Sequence, residues 1–258
     1  MSYARGMLAG YDHLLAATRR LQWDAEAIAL AGDRAALEAL TGPARARVRM
    51  LVAGFVVAEH AVAGELAPFV AAAAALDSDP AAQECFAAQA RDERRHARWF
   101  DRAAGELFGL DRSAAAAAAP DAIRELFESE LPAAARELAA HVDPERLAAG
   151  VGLYHLVLEG IAFAVGQAAL LESACATGLR GLAEGVARVQ GDERWHVGLG
   201  VLALQRLAAP LDVGPAARRA AAAWGPAIAT PERTERVLAA HRRRLAIAAR
   251  TPQAAVSR

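Results

Sequence analysis

The chain has 258 residues, 55% hydrophobic and 23% charged, with 29 basic against 30 acidic residues and a formal net charge of −1. That length is ample for a sizeable core, and the neutral balance speaks against nucleic-acid binding, which needs clustered positive charge. Composition excludes collagen-like and disordered classes, and the two cysteines, Cys85 and Cys175, make no disulfide framework, so a reducing, cytoplasmic setting is expected.

Ala, Leu, Arg and Glu dominate, all of which favour helix. No long run alternates apolar and polar residues as a half-buried strand does. An all-α fold is therefore expected. The opening Met1-Ser2-Tyr3-Ala4-Arg5 lacks the features of a signal peptide. A first helix is predicted near 4–22, then an irregular stretch from Trp23 to Asp33 and a short helix near 34–40. Long helices follow over about 43–76, 80–108, 120–140, 144–177 and 180–208, with shorter ones near 215–224 and 231–249. Asp79-Pro80, Asp143-Pro144 and Thr230-Pro231 each read as an N-cap followed by Pro at the first helical position. Gly109 and Gly178 suit helix C-termini. The Ala run Ser113–Ala119 reads as a connector or a helix start. No interdomain linker is evident, so one domain over 1–258 is expected, with its core at about 43–208 and C-terminal helices at about 215–249.

Two stretches are apolar enough to raise the question of a membrane. Gly150–Leu171 is broken only by His155, Glu159 and Gln167, and Leu51–Leu76 by Glu59, His60 and Glu65. Ionisable groups in a span are costly unless paired or functional. A helix buried on all sides of a soluble bundle explains the same pattern, and no membrane span is expected.

Glu-x-x-His occurs twice, as Glu93–His96 and Glu193–His196. Two short matches alone are weak, but both sit in one frame, Asp92-Glu93-Arg94-Arg95-His96 and Asp192-Glu193-Arg194-Trp195-His196. Each is preceded 34 residues earlier by a Glu isolated in an apolar helix, Glu59 and Glu159. The set thus repeats with a period of 100. Positions i and i+3 share a helical face, so each motif offers a carboxylate and an imidazole to one point. One Glu from each of two helices plus Glu-x-x-His from each of two others is the ligand set of a dimetal site in a four-helix bundle. Buried together, four carboxylates repel strongly unless cations are present. The mixed ligands suit Fe or Mn better than structural zinc. The expectation is one ion on Glu59, Glu93 and His96, another on Glu159, Glu193 and His196, and a Glu from a Glu-x-x-His bridging them. Asp192 is expected to accept from the free ring nitrogen of His96, with Trp23 close by, and Asp92 to do the same for His196.

At these residues the chain resembles the ferritin-like superfamily and, more narrowly, the small (beta) subunit of ribonucleotide reductase and its relatives. Trp23-Asp24-Ala25-Glu26-Ala27-Ile28, Asp33-Arg34 and Leu37-Glu38-Ala39-Leu40 are similar to that family's segment before the first metal-bearing helix. The resemblance covers roughly 20–208 and implies a ferritin-like four-helix bundle with flanking helices around two metal ions. One branch, the ribonucleotide-reductase-like ligand-binding oxidases, is nearest at Phe55–Val62 with Pro68-Phe69, and at Tyr154–Gly160. It implies an Fe/Fe or Mn/Fe centre that uses O2, an ether bond between Val62 and Tyr154, and a hydrophobic ligand. A homodimer is also implied. After Leu207 the chain is shorter than that branch, which leaves its fatty-acid tunnel an open question.

The reductase proper commonly carries a radical Tyr four residues after the first motif's His; here that position is Phe100. The family's small subunits also dock on a large reductase subunit through a Tyr-bearing tail. No tyrosine follows Tyr154, and the others are Tyr3 and Tyr11. Trp23, Asp192 and His96 still match the inner part of the reductase electron path. Three readings stay open: an oxidase, a reductase small subunit that needs a large subunit, and a non-catalytic iron-binding protein. Elsewhere the ordinary reading is preferred. His155 is a packed histidine, His60 a surface or interface group, Trp99 and Trp195 packing residues, Cys85 and Cys175 buried small residues, and Arg242-Arg243-Arg244 a solvated face. Glu65 and Glu172 fit no ligand pattern.

Overall fold

The computed structural model describes residues 10–208 and 213–249, so the expectations placed on Met1–Arg5 and Tyr3 lie outside the described residues. In chain order the helices are α1 (Tyr11–Arg20), α2 (Ala31–Glu38), α3 (Gly42–Glu65), α4 (Ala67–Leu76), α5 (Pro80–Phe108), α6 (Arg112–Ala118), α7 (Asp121–Arg124), α8 (Leu131–Ala140), α9 (Pro144–Val151), α10 (Ala164–Ala176), α11 (Arg180–Leu207), α12 (Gly214–Ala222) and α13 (Pro231–Ala248). Two π-helical runs, Glu125–Glu130 and Gly152–Phe163, join α7 to α8 and α9 to α10. No strand occurs among the described residues, as expected.

The bundle that carries the site is made by α3, α5, the long run from α9 through α10, and α11. Helix α3 packs on α5 and α10, while α11 packs on α5, α10 and the second π run. The ends are set as the sequence indicates. Asp79, Asp143 and Thr230 accept from the backbone N–H of Ala81, Arg146 and Arg233, which satisfies amides the helix leaves free. Gly109 and Gly178 take positive φ at the helix ends.

Three departures have local causes. The predicted helix over 43–76 is two helices bent by 40° at Leu66, because Pro68 has no N–H and its ring clashes with the preceding turn. Ser113–Ala119 is mostly helix, nucleated by Asp111, whose side chain accepts from Ala114 N–H at 2.8 Å. The helices over 120–140 and 144–177 are continuous but change to π form midway.

The stretch Pro144–Ala176 is long and apolar enough to cross a membrane, yet 83% of its most apolar window is buried inside the protein. Part of that burial comes from the C-terminal segment. Trp224, nearly fully buried, lies against Gly54 on α3 and Gly166 on α10, where a Cβ on either glycine would overlap the indole. Its ring N–H donates to the Ala162 carbonyl at 2.7 Å.

Candidate metal centre

The bundle brings all six predicted ligand residues to one place. Glu59 comes from α3, Glu93 and His96 from α5, Glu159 from the second π run, and Glu193 and His196 from α11. They form two overlapping groups able to hold an ion: Glu59, Glu93, His96 and Glu193, then Glu93, Glu159, Glu193 and His196, each with ligand atoms within 4.8 Å of one another. Both Glu-x-x-His glutamates belong to both groups, where one bridge was expected. The imidazoles turn Nδ1 inward. His96 Nδ1 is 3.2 Å from Glu93, 3.5 Å from Glu193 and 3.6 Å from Glu59. His196 Nδ1 is 2.9 Å from Glu93, 3.2 Å from Glu193 and 3.5 Å from Glu159.

Four carboxylates in so small a buried volume call for positive charge. Both Glu59 oxygens, Glu159 Oε2 and Glu193 Oε1 are buried with no hydrogen-bond partner. Burial pushes the Glu59 carboxyl up to about 8 and Glu159 well above the usual carboxylate range, with the Glu193 charge adding to it. The unpartnered oxygens, two inward imidazoles and shared carboxylates fit a pair of hard-to-borderline cations.

Around this set the bonding is unequal. His96 Nε2 and Asp192 Oδ2 are 3.0 Å apart, and Trp23 Nε1 donates to the same oxygen at 2.8 Å while its ring stacks on His96. The expected counterpart is not formed: His196 Nε2 lies 3.5 Å from Asp92, and neither atom has a hydrogen-bond partner. Arg95 Nη2 lies 2.8 Å from both Asp92 and Asp192, and the repeat-related Trp195 packs its ring on His196.

Tyr154 and Glu159 are five residues apart, a separation that splits them across faces of an α-helix. The π run changes this, since its i to i+5 bonding stacks residues five apart. Buried Tyr154 donates its hydroxyl to Glu93 Oε1 at 2.9 Å. Burial and the charges of Glu159 and Glu93 hold that phenol protonated. Gln89 Nε2 donates to the Tyr154 oxygen at 2.9 Å and to Glu159 Oε1 at 2.8 Å, and its Oε1 meets His155 Nε2 at 2.9 Å. Burial and the nearby His196 push His155 down to about 3, so it is neutral. Val62 is fully buried on α3, three residues after Glu59. Phe100 stacks on Phe55.

Sequence reasoning missed Gln89, Arg95, Arg244 and Trp224. Gln89 sits one turn before Glu93 on the same face, and the Arg95-to-Trp195 exchange is the one break in the repeated pentapeptide; both were readable signals. Arg244 was assigned to a solvated face but donates to the Gly160 carbonyl at 2.9 Å. Cys175 is exposed, not buried. His60 pairs with Asp101 at 2.8 Å. A cavity of about 280 Å³ reaches Glu159 and Glu193, and Gln167, Gln190, Arg194 and Arg244 also line it.

No protein-family model matches the chain. Among solved structures, a valine-to-isoleucine variant of an R2-like ligand-binding oxidase with anaerobically reconstituted Mn/Fe cofactor superposes with TM-score 0.71 at 20% identity, over 92% of this chain and 81% of that one. A tyrosine-to-phenylalanine variant with aerobically reconstituted Mn/Fe cofactor gives 0.69 at 20%, over 91% and 80%. An alanine-to-phenylalanine variant, anaerobically reconstituted with Mn/Fe, gives 0.71 at 21%, over 96% and 89%. The chain therefore has the helical, ferritin-like fold of the R2-like ligand-binding oxidases.

Proposed function

We propose that this protein is an O2-activating dimetal oxidase with an Fe/Fe or Mn/Fe centre, acting in the cytoplasm as a homodimer. The observation that carries the reading is the pair of overlapping ligand groups sharing Glu93 and Glu193, with buried carboxylate oxygens left without partners. The Mn/Fe cofactors named for the structural neighbours support it.

Two redox-active ions held there would supply the reduction of O2 and the oxidising power. The chain supplies position. Glu59, Glu93, His96, Glu159, Glu193 and His196 would hold the ions, the two imidazoles through the Nδ1 atoms they turn toward the carboxylates. Asp192 fixes the His96 tautomer by taking its Nε2 proton in a hydrogen bond. Glu59, Glu93, His96 and His196 are fully buried, and the cavity reaches the set at Glu159 and Glu193. Tyr154 holds a proton at its hydroxyl, aimed at Glu93 and steadied by Gln89. An ether between the Val62 side chain and the Tyr154 oxygen removes one hydrogen from each, and O2 takes up the two electrons and two protons.

Loading the purified protein aerobically with Fe, or with Fe plus Mn, tests this. About two ions per chain, O2 uptake and a loss of two hydrogen masses are expected. Tyr154→Phe should keep the ions and lose the mass change. Absence of bound metal overturns the reading, and two ions without O2 uptake moves it to iron binding alone. The bonded series Trp23, Asp192 and His96 favours a second reading, the reductase small subunit, which requires a radical that supports nucleotide reduction by a large subunit. Sedimentation at micromolar concentration that shows only monomer removes the homodimer.

A further inference from the structure

The cavity against Glu159 and Glu193 has a charged outer end that the dimetal reading does not use. Its volume is about 280 Å³, at the small end of ligand pockets. The floor is the buried pair Glu159 and Glu193, and Ala164 and Val197 form its apolar wall. Gln167 lines it too; that side chain is 2% exposed, and its Nε2 is buried without a hydrogen-bond partner. Arg194, exposed, and half-buried Arg244 line the outer part. Arg194 has no carboxylate partner among the described residues. Arg244 bonds only the Gly160 carbonyl, so most of its donors remain free. Arg95, Arg102 and Arg233 are each paired with a carboxylate, while half-buried Arg47 bonds Ser173 Oγ and the Ala227 carbonyl.

Charge decides what such a pocket takes. Two divalent cations balance four glutamates, so the floor offers an anion little, and the uncompensated positive charge lies at the two guanidinium groups. Planar guanidinium forks match carboxylate and phosphate oxygens in pairs. We propose that this cavity binds a small organic oxyanion, a carboxylate or a phosphate ester, held by Arg194 and Arg244 and by the Gln167 amide, with its uncharged end directed at Glu159 and Glu193. The proposal rests on the dimetal reading for the identity of the floor, and it makes the second half of the centre the end at which substrate is presented. A long alkyl chain has only Ala164 and Val197 to lie on.

Calorimetric titration of the metal-loaded protein with hexanoate, hexyl phosphate and 1-hexanol tests it, with metal content measured on the same samples. Saturable binding of at least one of the two anions at one site per chain is expected, and none of 1-hexanol. The tighter of hexanoate and hexyl phosphate assigns the head group. Losing one charge-assisted contact should weaken that anion about tenfold or more in R194Q and in R244Q. R194Q alters an exposed side chain and carries the test alone if R244Q, which loses its bond to Gly160, melts early. Metal-loaded protein that binds neither anion, or R194Q that binds as tightly as wild type, overturns the proposal and leaves the dimetal reading intact. Protein that takes up no metal yet binds anion in an Arg194-dependent way overturns the dimetal reading and supports the pocket.

Discussion

Glu59 sits on an α-helix; Glu159, one hundred residues later, sits on a π-helix. Around the first, Asp192 bonds to His96 and Trp23, and Arg95 closes the ring of charges. Around the second, His196 Nε2 has no hydrogen bond, a tyrosine and a glutamine reach the carboxylates, and a cavity opens outward. The repeated ligands make the two ends equivalent as ion holders. Their unlike neighbours separate them: the first end is sealed and fixed, the second is open and carries the phenol. Reaction at a symmetric site needs such an asymmetry, because the ions need stable seats and the substrate needs access.

The largest expected effect tests the shared carboxylates. Glu193 belongs to both ligand groups and Glu59 to one. Glu193→Ala should leave fewer than one ion per chain by metal analysis, and Glu59→Ala about one. Equal losses would break the bridging assignment.

Next comes Trp224, which packs between α3 of the first half and the long helical run of the second. Trp224→Ala empties the notch between Gly54 and Gly166 and removes the bond to Ala162. A loss of about 3–5 kcal/mol is expected in chemical unfolding. A loss under about 1 kcal/mol would mean that the C-terminal segment merely rests on the π run.

Asp192→Ala should weaken metal affinity or O2 reactivity about 10–100-fold, the usual effect of removing a carboxylate that orients a ligating imidazole. Asp92→Ala, without a bond to His196, should have a clearly smaller effect. Equal effects would erase the distinction between the two ends.

The smallest effect concerns pH. Burial and His196 hold folded His155 near 3, while the unfolded side chain titrates near 6.5. Between those values the unfolded state binds the extra proton, so the stability from neutral His155 is complete above about 6.5 and is lost as pH falls toward 3. Wild type should lose more melting temperature than His155→Gln between pH 7.5 and pH 5. The first half carries Phe55 at the related position and has no such slope.

What was legible in the sequence was the symmetric part. The period of 100, the apolar surroundings of Glu59 and Glu159, and the Asp-Pro caps follow from composition and spacing, and they placed the bundle and its six inward residues. The asymmetric part was hidden for physical reasons. A π turn uses the same residues as an α turn, so nothing in Gly152–Phe163 marked the change of bonding that brings Tyr154 over Glu159. Arg244 lies in a run of three arginines, and only packing decides which one turns inward. The 40° bend at Leu66 was readable from Pro68, but the apolar residues on both sides of it suggested one helix.

The bonds that finish the site join distant parts of the chain. Trp23 reaches Asp192, 169 residues ahead; Trp224 reaches back 62 residues to Ala162 and Arg244 back 84 to Gly160. A polypeptide is made from its N-terminus, and contacts of such separation are slow to form. Glu59, Glu93 and His96 leave the ribosome early but stay unsealed until Asp192 follows, and the π run lacks two of its donors until residue 244 is out. The centre is thus closed only once residue 244 has joined the fold.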